Sequence, residues 1–416
     1  MKSLFKSIRK WSSIRDKLKD GPTLKDFMMQ EPGEVSAIDL AKQTGLFDDP
    51  SILANKRFSL KTFGCQMNSN DSEIIETILK DKQMVKLEDY NDSDIVLINT
   101  CAIRENAEQK IWSQVNQIRH IKEARQKKGK KFFIGILGCM AERLKERIVE
   151  EKKIVDLIVG PDSYKDLPRL LTYLFSDLNA GSNNFAINTQ LSLDETYADI
   201  VPMRKDQTSA FISIMRGCSN MCSFCIVPFT RGVERSRPLD SIIDEVKYVR
   251  DSGVKEITFL GQNVNSYFDE SSQTFFMEHQ NAKGFSENYR RKNKPGARFI
   301  HLLDKASQEA PEVRFRFTSP HPKDFPDAVL ELIKERPNIS KYLHMPAQSG
   351  NTAVLERMNR KYTVEAYREL IARARSIIPG ISLSTDIIAG FCGETDSEFE
   401  DTMQLMEDIK FDFVIS

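Results

Sequence analysis

Three cysteines, Cys218, Cys222 and Cys225, stand at C-x3-C-x2-C spacing directly after the apolar run 211–215 and Arg216-Gly217. Three thiolates on one short loop can hold three irons of a cubane [4Fe–4S] cluster, and the absent fourth thiolate leaves one iron open. An open iron can chelate the amino and carboxylate groups of S-adenosylmethionine and pass it one electron. That is radical chemistry the cofactor supplies and the protein aims. The competing reading is a structural zinc site, which more often shows paired C-x2-C knuckles with a fourth Cys or His close by. No histidine lies between Gly181 and His279, so a fourth zinc ligand would come from far along the chain.

A second set of thiols repeats a different pattern. Residues 57–63 lead to Gly64-Cys65, 94–99 to Thr100-Cys101, and 132–137 to Gly138-Cys139, each followed by a helical stretch. The helices run through Ile74, Ile75, Ile78 and Leu79, from Asn106, and from Ala141 to Glu150, and a short strand over 154–160 follows. Alternating strand and helix implies right-handed crossovers and a parallel sheet. The functional crevice of such a sheet lies outside the carboxyl ends of its strands. Cys65, Cys101 and Cys139 all fall there. One such cysteine would read as a buried core thiol; three in equivalent positions read as a second, three-thiolate metal site.

The elements that would position the first site begin at Ser209. Strands are expected at 211–215, 256–260, 314–318, 341–345, 382–388 and 413–415. Helices are expected at 239–252, 299–309, 326–335, 352–359, 364–378 and 396–409. Six β/α units predict an α/β chain with a partial, open (β/α)6 barrel after the N-terminal parallel-sheet domain, its chemistry at the carboxyl ends of the strands. Polar residues cluster at those ends: Gln262 and Asn263, Ser319, Gln348, and Gly390 with Glu394. These are candidates for the ribose, adenine and methionine ends of the cofactor. His321 and His344 also sit there, where a packed, hydrogen-bonded histidine is the simpler reading, and Cys392 reads as an isolated, buried thiol rather than a cluster ligand.

The expected organisation is a basic presequence or linker over 1–55, a domain carrying the second thiol set over 56–175, a polar linker over 176–208, and the barrel over 209–416. Residues 268–297 read as a surface insertion. In the 416 residues, 60 Lys and Arg balance 60 Asp and Glu, so nucleic-acid binding would come from local patches such as 125–131 and 290–294. Seven cysteines without a paired pattern suit a reducing compartment, and no apolar run approaches the length of a membrane span. Residues 1–19 place Leu4, Ile8, Trp11, Ile14 and Leu18 at helical spacing among basic residues, with Asp16 the one acid. That composition predicts mitochondrial targeting; a cytoplasmic protein with a basic surface helix is the alternative.

The chain resembles the MiaB-type methylthiotransferases, a branch of the radical S-adenosylmethionine enzymes. The resemblance is carried by 62–68, 99–105, 135–141, 216–232, 259–264 and 344–350, and covers the chain from about Arg57 onward. The stretches 317–325 and 390–395 are most similar to the eukaryotic mitochondrial, kinase-regulator-associated branch. The resemblance implies insertion of a methylthio group at C2 of an isopentenylated adenosine beside the tRNA anticodon. It implies two [4Fe–4S] clusters, one on Cys218, Cys222 and Cys225 that cleaves S-adenosylmethionine, and an auxiliary one on Cys65, Cys101 and Cys139 that presents sulfur. One S-adenosylmethionine would methylate that sulfur and a second would yield the radical that abstracts hydrogen from C2.

The implied partners are tRNA and an electron donor of ferredoxin or flavodoxin type, with a kinase-regulator protein as a further candidate; a monomer away from membranes is expected. Two departures stand out. Many relatives carry Pro where Cys392 stands. The family normally ends in a small RNA-binding β-barrel, TRAM; the sequence runs to Ser416, within the expected sixth barrel strand, and a chain complete at that point is expected to do without it. Without those phosphate contacts, weaker tRNA binding is expected, and the last strand edge would lie open. Rival functions are methylthiolation of threonylcarbamoyl-adenosine or of a ribosomal protein, and a non-catalytic kinase-regulator-binding protein.

Overall fold

The computed structural model describes residues 49–101, 105–144, 154–176, 185–204, 206–272, 275, 281–286 and 294–416. The expected basic helix over 1–19, residues 145–150 of the helix expected after Cys139, and residues 290–293 of one basic patch lie outside them.

The N-terminal half is one parallel sheet. Its strands are β1 (Arg57–Phe63), β2 (Val85–Lys86), β3 (Ile95–Thr100), β4 (Phe133–Gly138), β5 (Leu157–Val159) and β6 (Ala186–Asn188), in the order β2-β1-β3-β4-β5-β6. β3 and β4 are buried along their whole length, as parallel strands covered on both faces must be, and their near-continuous apolar runs reflect it. Alternate residues serve alternate faces. Leu97 packs under helices α1 (Gln66–Asp81) and α3 (Leu167–Phe175), while Val96 and Ile98 pack with Ile111, Val115 and Ile118 of α2 (Glu105–Gln126).

A polar linker is expected over 176–208. Instead Ala186–Asn188 pairs with β5, and Tyr197 is buried in the core beneath this sheet. The three residues of this strand lie between Asn183-Asn184 and Thr189-Gln190, so the polar surroundings read as linker.

The second half forms two parallel triplets around one core. β7 (Ser209–Ser213), β10 (Glu256–Leu260) and β13 (Arg314–Phe317) make the first; β14 (Tyr342–His344), β15 (Ser382–Asp386) and β16 (Phe413–Ile415) make the second. A parallel bridge between Phe315 and Ile339 joins them. The outer helices are α4 (Val227–Arg231), α5 (Leu239–Asp251), α6 (Phe299–Glu309), α7 (Asp327–Glu335), α8 (Thr352–Arg357), α9 (Val364–Ile377) and α10 (Asp396–Ile409). This is the partial (β/α)6 barrel expected from the six units. Between β7 and α5, the antiparallel pair β8 (Met215–Arg216) and β9 (Arg235–Ser236) clasps residues 217–234, the loop that holds Cys218, Cys222 and Cys225.

The expected surface insertion is tied down. Its ends pair as β11 (Phe268–Asp269) and β12 (Ala297–Arg298). Ala282 and Phe285 bury in the barrel core, with Phe285 bridged to Tyr362 at a ring separation of 4.8 Å. Parts of the 125–131 basic patch are likewise structural: Arg125 donates to the carbonyls of Asn91 and Ser93, and Lys131 to those of Phe175 and Ser176. Among the described residues no helix is long and apolar enough to cross a membrane.

Candidate active site

Strand register brings the first three thiols together. Phe63 pairs with Thr100 and Thr100 with Gly138, so the residues that follow leave the sheet side by side. Cys101 follows Thr100 directly, Cys139 follows Gly138, and Cys65 comes one residue later because Gly64 intervenes. The order 2-1-3-4-5 is that of flavodoxin-like sheets, whose switch point lies between β1 and β3. Cys65 and Cys101 flank it.

Local sequence makes the close approach feasible. A Cβ on Gly64 would lie 2.9 Å from Cys101 Cβ, and one on Gly138, at φ +87°, would lie 2.4 Å from Asn99 Oδ1. Two fully buried asparagines brace the turn. Asn68 donates to the Thr100 carbonyl at 3.2 Å and accepts from Cys65 N at 3.3 Å; Asn99 donates to the Asn68 carbonyl and Ser72 Oγ, both at 2.9 Å.

The thiols differ in ionisation. Cys65 is pulled down to about 6, chiefly by a hydrogen bond with Cys101; burial opposes this, and the charge of Arg231 adds to it. Cys65 also caps the N-terminus of α1, where the helix dipole favours a thiolate. Burial pushes Cys139 up, against the pull of Arg231, whose Nε donates to its Sγ at 3.1 Å.

The second set sits on the loop between β8 and α4. Gly217, at φ +75°, admits no side chain, since a Cβ would lie 2.0 Å from the Val233 carbonyl. Its N–H donates to Gln262 Oε1 at 2.6 Å, and Cys218 N donates to the Gly232 carbonyl at 3.2 Å. The far side of the loop is held by the turn after α8. Ser223 N donates to the Met358 carbonyl at 3.1 Å, Asn359 Nδ2 to the Met221 carbonyl at 2.9 Å, and Arg360 Nη1 to Cys222 Sγ at 3.5 Å. Burial pushes Cys218 up to about 12 and raises Cys225, so loading a metal here must release protons.

The expected cofactor-binding residues occupy distinct positions at the strand ends. Gln262 spends its side-chain oxygen on the cysteine loop and is a loop anchor in this structure. Asn263 is 1% exposed and its Oδ1 has no hydrogen-bond partner among the described residues; the same holds for the shielded Glu394 Oε1. Buried oxygens are nearly always partnered, so these two are open to a ligand. Ser319 and Gln348 hold left-handed backbones at φ 57° and 73°, strain of the kind that collects at ligand-binding turns. Gly390 N donates to Glu394 Oε2 at 2.6 Å.

The two histidines are engaged. His321 is buried, accepts from Lys323 N at 3.2 Å on Nδ1, and is pushed well below its ordinary pKa by burial and by Arg360 and Lys323. It shares a small pocket with Cys222, a proximity that sequence distance concealed. His344 bridges Ser384 Oγ at 2.7 Å and Asp386 Oδ2 at 3.1 Å. Cys392 is exposed. Asn68, Asn99, Arg231 and Arg360 are not evident as site residues from the sequence; the first three lie within the family-like stretches 62–68, 99–105 and 216–232, and Arg360 lies in none.

Each set offers a fitting donor chemistry: three thiols, a guanidinium donating to one sulfur, and glycines where a Cβ would collide. Among the described residues no three His, Cys, Asp or Glu side chains gather as the ligand set of a single metal ion; a cubane takes its thiolates one per iron, on separate irons.

An open six-stranded parallel barrel with a C-x3-C-x2-C loop after its first strand defines the radical S-adenosylmethionine class. Comparison with known proteins agrees: residues 212–406 match the Radical SAM superfamily, and 57–160 match a family described as uncharacterized protein family UPF0004. A mouse protein named mitochondrial tRNA methylthiotransferase CDK5RAP1 is 47% identical over 98% of this chain and 69% of its own length. The tRNA-2-methylthio-N(6)-dimethylallyladenosine synthase of Chloroherpeton thalassium is 48% identical over 86% of this chain and 72% of its own. The chain belongs to this methylthiotransferase family. In fold it is similar to TsrM of Kitasatospora setae, a radical S-adenosylmethionine methyltransferase solved with cobalamin and a [4Fe–4S] cluster, at TM-score 0.56 and 12% identity over 86% of this chain and 71% of that one.

Proposed function

We propose that this chain is a radical S-adenosylmethionine methylthiotransferase that converts N6-isopentenyladenosine beside the anticodon of a tRNA to its 2-methylthio derivative, and that it works in mitochondria. The names of its relatives support the reaction, the tRNA substrate and the compartment. The observation that carries the reading is the presence of two separate three-thiol sites, each at the carboxyl ends of parallel strands, within one compact unit spanning Pro50–Ser416.

When bound, the two [4Fe–4S] clusters and S-adenosylmethionine supply a carbon-centred radical and a transferable sulfur. The chain's residues do the holding and aiming. Cys218, Cys222 and Cys225 hold one cluster and leave one coordination position for the cofactor. Gln262 fixes the base of that loop through Gly217. Asn263, Ser319, Gln348, Gly390 and Glu394 present polar groups to the cofactor along the barrel's working edge. Cys65, Cys101 and Cys139 hold the auxiliary cluster, with Cys65 on the exposed side. A single-electron donor of ferredoxin or flavodoxin type is the partner such chemistry requires.

The test is direct. Anaerobically reconstituted protein, reductant, S-adenosylmethionine and isopentenylated tRNA should give 2-methylthio-isopentenyladenosine in the nucleoside digest. Product on threonylcarbamoyl-adenosine or on a ribosomal peptide, with none on the isopentenylated tRNA, would overturn the substrate assignment.

A further inference from the structure

The two three-thiol sites are joined by one side chain. Arg231 closes α4, the short helix that starts two residues after Cys225 and rises about 6 Å from Val227 to Arg231. The guanidinium is 2% exposed and crosses to the other sheet. There Nε donates to Cys139 Sγ at 3.1 Å, Nη2 donates to Asp71 Oδ2 at 2.7 Å, and Nη1 has no partner among the described residues.

Asp71 lies on α1, one turn and a half beyond Cys65. Its other oxygen accepts from Arg216 Nη1 at 2.8 Å, and Arg216 stands two residues before Cys218. Both ends of the second cysteine loop are therefore tied to one carboxylate of the first sheet.

A bland explanation is that Arg231 exists to neutralise Asp71. Charge counting argues against it. Three buried guanidiniums meet here, Arg216, Arg231 and Arg235, and they pair with two carboxylates, Asp71 and Asp162. Asp71 already has Arg216, and Asp162 has Arg235 through two contacts of 2.9 Å. Buried charges are held only where they are paired. In these ion pairs the guanidiniums outnumber the carboxylates by one, and Arg231 is the guanidinium that also faces Cys139, where a metal-bound thiolate would add an anion.

We propose that Arg231 is a positioning residue for the auxiliary cluster: by donating a hydrogen bond to the Cys139 sulfur it sets that cluster's reduction potential, while its helix fixes the distance to the second cysteine loop. This rests on the assignment of Cys65, Cys101 and Cys139 as the auxiliary ligands. Hydrogen bonds to ligand sulfurs and local charge are both determinants of cluster potential, and outer partners of metal ligands commonly matter ten- to a hundred-fold for binding. Removing a donor and a positive charge makes adding an electron harder, so the potential must fall.

The test uses the full chain with Cys218, Cys222 and Cys225 all changed to Ala, so that one cluster remains, and reads its midpoint potential by anaerobic titration followed by electron paramagnetic resonance. The parent should bind about four irons; a parent with no iron would overturn the auxiliary-ligand assignment, and this proposal with it. On that parent, Asp71→Asn alone, which removes a nearby negative charge and keeps the donor, should hold the midpoint or move it to more positive potential. Asp71→Asn with Arg231→Gln, which keeps the pair neutral, should shift it to more negative potential. Arg231→Lys should recover part of the shift, because it restores charge but not the planar donor. Iron lost from the double variant but retained by Asp71→Asn would also support the role. An unchanged midpoint in the double variant, or equal iron loss from Asp71→Asn alone, would overturn it.

Discussion

At the scale of single residues, the site depends on positions where only one residue type fits. Gly138 sits at φ +87° with Asn99 Oδ1 2.4 Å from where a Cβ would be. Gly138→Ala should cost about 1–3 kcal/mol from backbone strain and collision and reduce iron bound at the first site; thermal denaturation and iron analysis of the same preparation check both. Gln262→Ala leaves the Gly217 N–H without its acceptor, a loss of about 1–3 kcal/mol for a buried donor. It should weaken iron retention on the Cys218 loop, and Gln262→Glu, which keeps an acceptor, should restore it. Retention equal to wild type in Gln262→Ala would show that the hydrogen bond does not hold the loop. The six cysteines and these glycines were legible in the sequence because type and spacing announce them. Arg231 and Arg360 were not. An arginine between polar neighbours reads as a solvated charge, and only the fold reveals that each donates to a ligand-type sulfur.

At the scale of elements, the six barrel strands and their helices could be read to within a few residues, since short strands alternate with helices whose apolar residues recur at helical spacing. What escaped was short or borrowed its burial from elsewhere. β6 is three residues long, and Phe285 lies in a polar insertion yet packs at 8% exposure on Tyr362. Phe285→Ala should therefore destabilise the barrel by about 3–5 kcal/mol, the range for buried phenylalanine truncation, where a surface loop would show almost none; denaturant midpoints decide. The joint between α1 and the β8–β9 clasp makes a pH prediction. Burial raises the Asp71 carboxyl, but Arg216 and Arg231 outweigh it and hold the carboxyl below its ordinary 3.8. A depressed acid contributes stability that is fully present above its unfolded pKa and is lost as pH falls through the folded value. Wild type should lose stability from about pH 5 downward, while Asp71→Asn, already weaker by about 3–5 kcal/mol because it strands buried arginines, should show a flatter acid limb. Parallel acid limbs for the two proteins would remove Asp71 from the explanation.

At the scale of the whole molecule, the parallel sheet and the barrel each bring chemistry to the carboxyl ends of their strands, and the Asp71–Arg216–Arg231 joint holds the two edges together. The sheet order could not be read from the sequence, because strand neighbours depend on crossovers rather than on local pattern. Yet it is the order β2-β1-β3-β4 that sets Cys65, Cys101 and Cys139 side by side. The central claim is that one chain carries two cubane clusters, and iron and zinc per polypeptide after anaerobic reconstitution measure it most directly. About eight irons are expected, falling to about four when either cysteine trio is changed to alanine. Stoichiometric zinc with little iron, or about four irons that survive loss of either trio, would contradict it.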